Sequence, residues 1–139
     1  MKKAIMMLTI VVAIGFSACA QKIDASKVPA AVKAAFVKQY PGISVKWEKE
    51  GAKYEAGFKQ NGNTMSALYE ATGKLTETER DIKVSELPAA VLVYVKDHYK
   101  GKSIKEAAII MKADGTVNYE AEVGGKDVIF DAGGKIIKK

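Results

Sequence analysis

The sequence predicts an α+β fold in which two tandem helix-plus-four-strand antiparallel repeats form one sheet with both helices on one face. Three observations predict it. First, Val28-Pro29-Ala30-Ala31-Val32 returns as Leu87-Pro88-Ala89-Ala90-Val91, Tyr54-Glu55-Ala56 as Tyr119-Glu120-Ala121, and the block from Leu68 to Leu75 as Ile129 to Ile136. Matching blocks in a fixed order mark a duplicated supersecondary unit. Second, each copy opens on an apolar period of four and then switches to a period of two. Third, glycine-bearing turn pairs fall between the alternating stretches.

The elements follow in order. Pro29 and Pro88 suit a first helical turn, where a missing N–H costs nothing. Val28, Val32, Phe36 and Tyr40 form one apolar stripe, and Leu87, Val91, Val95 and Tyr99 form its counterpart. Tyr40-Pro41-Gly42 ends the first helix and Lys100-Gly101 the second. Ile43, Val45 and Trp47 then alternate with polar residues, as do Tyr54, Ala56 and Phe58. Asn61-Gly62 is a two-residue hairpin turn. Met65, Ala67 and Tyr69 mark a third strand, and Thr72-Gly73 turns into a fourth from Lys74 to about Arg80. The second copy has strands over 103–112 and 116–123 around Asp114-Gly115, then 127–131, then 135–138 after Gly133-Gly134. One helix per four strands covers one face. Lysine, glutamate and serine are expected on the other, as a broad, open, polar surface.

Residues 1–20 read as a targeting segment. Lys2 and Lys3 precede an apolar or small-residue run from Ala4 to Phe16, too short to span a bilayer comfortably. Ala18-Cys19-Ala20 fits a cleavage site that releases a chain starting at Gln21. Ser17-Ala18-Cys19 also fits a lipoprotein signal over 1–18, with Cys19 as the lipidated first residue. The expected address is periplasmic or secreted, or else a membrane-anchored lipoprotein facing the periplasm or cell surface. The expected single domain is 21–139, made of repeats 21–80 and 81–139. Cys19 is the only cysteine, so no internal disulfide holds the fold.

The formal charge is +6, of which Lys2 and Lys3 supply two. The basic residues are lysines except Arg80, whereas nucleic-acid sites favour arginine for bidentate contacts. With lysine and glutamate interleaved on an exported chain, no nucleic-acid partner is expected.

At this point Val-Pro-Ala-Ala-Val, Tyr-Pro-Gly, Lys46-Trp47, Tyr-Glu-Ala, Asn-Gly and Gly-Lys-Leu together resemble the PepSY-like repeat of small exported proteins from Bacteroidetes-type bacteria. The resemblance covers both copies. The second departs from it where Lys100 replaces Pro41 and Glu106 replaces Trp47. It implies a fold like that of the β-lactamase-inhibitor protein and a role as an inhibitory or regulatory binding module for an exported hydrolase. It brings no catalytic residue.

The chemistry visible in the residues is sparse. His98 lacks the partners that triad or zinc chemistry needs, and near a helix C-terminus it suits the helix dipole. Gly73-Lys74 and Gly134-Lys135 lack the strand-to-helix context of a phosphate loop. Asp114, Asp127 and Asp131 lack the spacing of a calcium loop. Glu55 and Glu120 form the best carboxylate pair, but an open face offers neither cleft nor apolar burial, and cross-strand pairing with lysines is expected instead. Trp47 shares parity with Val45 and defaults to the core; at the sheet rim it would anchor an interface. Glu106 aligns with it and points outward only if a bulge intervenes. The expected binding face comprises Lys46, Trp47, Glu48, Glu55, Lys59, Glu120 and Glu122. No catalytic residue, metal ligand or cofactor is expected. The alternative reading is a periplasmic small-ligand or cation-binding protein.

Overall fold

The computed structural model describes residues 20–138, so the targeting segment and Cys19 lie outside the described residues. The described residues form one nine-stranded antiparallel sheet in simple sequence order, with two α-helices. β1 (Gln21–Ile23) precedes helix α1 (Ala30–Gln39), which is followed by β2 (Val45–Glu50), β3 (Lys53–Gln60), β4 (Asn63–Glu70) and β5 (Leu75–Ile82). Helix α2 (Ala89–His98) is followed by β6 (Ile104–Lys112), β7 (Val117–Val123), β8 (Lys126–Asp131) and β9 (Ile136–Lys138).

Each helix begins directly after its proline, which caps it in extended conformation. A short 3-10 turn leads into each. Before α1, Asp24 Oδ1 accepts the Ser26 N–H at 2.8 Å. Before α2, the Lys83 N–H donates to Glu86 Oε2 at 2.7 Å.

Cross-strand partners share a face, so the register fixes the layers. Ala56 pairs with Ala67, Ala67 with Thr78, and Thr78 with Met111. Four residues back on β6 and therefore on the same face, Ala107 pairs with Ala121 and Ala121 with Val128. Val32 and Phe36 of α1 pack on Ala56, Phe58 and Ala67. Val91 and Val95 of α2 pack on Ala107, Ala121 and Val128. Both helices therefore cover the same face, each over its own apolar core. In the first core Phe36 meets Phe58 and Trp47 edge-on, with ring centroids 5.2 and 5.6 Å apart. In the second, Tyr94 meets Phe130 at 5.4 Å.

The sheet has one strand more than expected. β1 pairs with β2 through Gln21–Lys49, Lys22–Glu48 and Ile23–Trp47. It is a three-residue edge ribbon, too short to show any period. Trp47 needs a correction as well. It is 5 % exposed and lies on the helix side of β2, so it is a core residue and does not belong to the outward face.

His98 ends α2 exposed, with Nδ1 2.9 Å from the Tyr94 carbonyl and its ring stacked on Tyr94 at 4.0 Å. His98→Ala is expected to lower stability by less than about 1 kcal/mol, the scale of one exposed helix-end contact. Urea denaturation checks this.

Candidate functional site

The face away from the helices carries the candidate site. Of the expected residues, Lys46, Glu48, Glu55, Lys59, Glu120 and Glu122 lie on it by register. They do not form one cluster. Lys46, Glu48, Glu55 and Lys59 sit on β2 and β3, and Glu120 and Glu122 sit on β7. Between them lies β5, which brings in Glu77, Glu79 and Asp81 on the same face. These three were not singled out from the sequence.

The expectation of an open, solvated surface fails at the centre of this face. Glu79 is 4 % exposed, Asn118 5 % and Glu120 2 %. Leu68, Ala108, Ile110 and Ile129 share the face and are buried too. No helix among the described residues covers this side, so outward side chains pack on one another over the sheet. Small neighbours allow it. Ala108 stands directly between Asp81 and Glu120, and Ser66 flanks Glu79 on one side.

The expected lysine partners are also largely displaced. Lys22 faces Glu48, Lys53 faces Glu50 and Lys112 faces Glu77, all toward the rim. Elsewhere carboxylates face carboxylates, Glu48 opposite Glu55 and Glu122 opposite Asp127. Glu106 sits exposed in a bulge of β6, where Lys105 and Glu106 oppose the single residue Glu122. The bulge keeps Glu106 out of the core.

The electrostatic consequence is uniform. Burial and then the neighbouring Glu50 and Glu48 push Glu55 up to about 7, with the Ser66 hydroxyl opposing the shift. Burial and then Asp127, Asp81 and Glu122 push Glu120 up to about 8. Burial and then Glu120, Glu55 and Asp81 hold Glu79 well above the ordinary carboxylate range. Asp81, Glu106 and Asp127 are raised as well, each chiefly by desolvation. Glu79 Oε1 and Asn118 Oδ1 are buried without a hydrogen-bond partner.

The aspartates weighed as calcium ligands are placed differently. Asp114 Oδ1 accepts the Thr116 N–H at 2.8 Å. Asp131 Oδ1 accepts from Gly133 and Lys135 at 2.9 Å. Both serve turns. No group of three or more His, Cys, Asp or Glu among the described residues is placed to hold a metal ion. A hollow of about 360 Å³ lies where β1 meets β2; Lys22, Asp24, Lys46 and Glu48 are among its lining residues.

An antiparallel sheet backed by helices on one face and polar on the other defines the class: a small α+β open-sheet protein. The family follows from comparison. A family model described as "Putative beta-lactamase-inhibitor-like, PepSY-like" matches residues 17–77 and again 52–138, and the chain belongs to that family. A BLIP-like protein from Bacteroides fragilis is 26 % identical with a TM-score of 0.62, covering 80 % of this chain and 85 % of its own. Two further crystal structures share the fold. A DUF2874 family protein from Bacteroides uniformis has a TM-score of 0.69 at 24 % identity, covering 79 % of this chain and 86 % of its own. A protein from Bacteroides eggerthii, described among "putative periplasmic proteins", has a TM-score of 0.71 at 20 % identity, covering 80 % and 86 %. No curated protein matches the chain.

Proposed function

We propose that this chain is an exported, non-catalytic binding module that holds an exported protein, such as an envelope hydrolase, against its uncovered sheet face. The observation that carries the reading is the crowding of buried carboxylates on that face. A fold gains nothing from burying like charges beside one another, and such groups are retained where a site needs them. The BLIP-like relative supports an inhibitory or regulatory role. We read the two helix-and-four-strand halves as copies of one unit, and residues 1–20 as the export signal, with Cys19 as the lipid attachment point if the lipoprotein signal is used. No helix among the described residues is long and apolar enough to cross a membrane.

The carboxylates do not match a glycosidase pair formed by Glu55 and Glu120. A glycosidase pair keeps one carboxylate ionised while the other is raised. Here Glu55, Glu79 and Glu120 are all raised together. The hollow beside β1 is walled by four charged residues and by Ile23, Ala25, Val45 and Trp47.

The test is partner recovery from envelope extract on tagged protein. Glu48→Lys and Glu122→Lys reverse charge on the sheet face, placing a lysine opposite Glu55 and Asp127; Glu48→Lys also faces Lys22, so the melting temperature of each variant is measured alongside. Lys38→Glu and Lys96→Glu reverse charge on the exposed helix side. Recovery of one protein that survives the helix-side changes and is lost with the sheet-face changes is expected. Equal loss in both pairs, or no specific recovery, contradicts the proposal.

A further inference from the structure

We infer that the buried floor of this face is a seat for a guanidinium group, presented by an arginine side chain of the bound partner, over Ala108 between Asp81 and Glu120 and within reach of Glu79 and Asn118. The inference rests on the reading of the uncovered face as the binding surface, and it names what the partner brings there.

The site has a rim and a floor. Asp81 and Glu106 are exposed and Glu122 is half-buried, so the rim meets solvent. Beneath it Glu79, Asn118 and Glu120 are nearly fully buried. The register places Asp81 and Glu120 on either side of Ala108, one strand away in each direction. Their backbones are therefore two strand spacings apart, roughly 10 Å. Ala108 puts only a methyl group between them, and the Asp81 charge acts on Glu120 across it.

Two acceptor oxygens gathered there lack donors, while Thr64 serves Asp81. Glu79 Oε1 and Asn118 Oδ1 are buried acceptors with nothing donating to them. The charges that act most strongly on Glu79 are Glu120, Glu55, Asp81 and Glu77, all carboxylates. What completes such a site is a cation rich in N–H donors. A metal ion needs several ligands converging on one point, and no group of three or more is so placed among the described residues. A lysine ammonium is a compact point charge. A guanidinium is planar, permanently charged and carries five N–H donors in a fork, so it can serve acceptors spread across neighbouring strands. Once a partner covers the rim and excludes water, these charge-assisted hydrogen bonds strengthen. The chain's own arginine cannot fill the seat. Arg80 projects to the opposite face, since its neighbours Glu79 and Asp81 project to this one.

The probe is N-acetyl-arginine amide, titrated into the isotope-labelled protein and followed by NMR, with N-acetyl-citrulline amide as the uncharged isostere. Saturable shifts are expected at the backbone amides of Ala108 and Glu120 and at the Asn118 side-chain amide, with half-saturation at about millimolar concentration for a single side chain. The citrulline compound should leave them unmoved. Glu79→Gln with Glu120→Gln should weaken arginine binding by roughly tenfold, the worth of a charge-assisted hydrogen bond. Equal shifts with citrulline, shifts confined to other residues, or no saturation overturn the inference. So does calcium chloride moving these same resonances where the arginine compound does not. Partner recovery lost on Glu48→Lys and Glu122→Lys but unaffected by Glu79→Gln and Glu120→Gln leaves the face as the binding surface and removes the arginine seat. Arginine binding without partner recovery keeps the seat and removes the protein partner.

Discussion

Glu79→Gln combined with Glu120→Gln is expected to raise the melting temperature at pH 8.5 by about 10 °C and to leave it nearly unchanged at pH 4.5. Glutamine keeps the volume and removes the charge. Wild-type Glu120 is raised from 4.5 to about 8, first by burial and then by neighbouring carboxylates. Glu79 is raised for the same reasons. The folded state therefore holds protons that the unfolded chain has already released. Stability is full below the ordinary carboxylate range and falls as the pH climbs from about 4.5 through 7 and 8. A shift of this size corresponds to a few kcal/mol, and 1 kcal/mol moves the midpoint of a domain this large by roughly 3–5 °C. Glu55, raised to about 7, keeps part of the slope in the double variant. Thermal unfolding followed by circular dichroism at the two pH values measures the effect. If the variants melt lower at both, the carboxylates are structural members of the fold.

Gly73→Ala and Gly134→Ala are each expected to cost about 2–4 kcal/mol, from left-handed strain and overpacking together. The two glycines hold matching places in the turns between β4 and β5 and between β8 and β9, with φ of +87° and +83°. Each turn is closed by the same hydrogen bonds. Gly73 N–H donates to the Glu70 carbonyl and Glu70 N–H to the Lys74 carbonyl, both at 2.9 Å. Gly134 and Asp131 do likewise at 3.0 and 2.8 Å. Each turn also presses on the first turn of its helix. A methyl on Gly73 would meet the Ala31 carbonyl oxygen at 2.6 Å, and one on Gly134 would meet the Ala90 methyl at 2.5 Å. The helix and its turn cannot separate without opening the core, so the strain stays. Urea denaturation of each variant gives the number. Gly115→Ala is the comparison, because it has φ of +87° and nothing within 4 Å. It should cost less than either. An equal cost would mean that backbone conformation alone sets the effect, without the helix contact.

These two results test different layers of what the residues disclose. The glycine turns were legible because Gly73-Lys74 and Gly134-Lys135 recur in step with their helices. The α1 and α2 stripes were legible from Val32–Phe36 and Val91–Val95, now the centres of the two cores. β1 was not, since three residues carry no period. The acidic floor was hidden for a related reason. Along β5, Thr78 and Arg80 alternate with Glu77, Glu79 and Asp81. Both parities are polar, so alternation could not say which side was in, and Glu79 reads as a surface charge. The available signal was the carboxylate at every second position, which puts one acidic stripe on one face. Glu120 was placed on the correct face, but its burial comes from Ala108 and Ile129 on adjacent strands. No local pattern around Glu120 reveals them.

Net charge conceals the arrangement further. The chain is positive overall, yet the carboxylates that act on Glu55, Glu79 and Glu120 are gathered on the uncovered face. Lys38 and Lys96 stand on the helices of the other side. Under the proposed binding role, a basic partner is steered to the sheet.

The most direct measurement is a ¹³C-carboxyl NMR titration resolving Glu55, Glu79 and Glu120 in the unliganded protein. A crowded, buried acidic floor predicts that Glu55 titrates near 7, Glu120 near 8 and Glu79 well above the ordinary carboxylate range. All three titrating near 4.5 would show separate, solvated surface glutamates and would contradict the account.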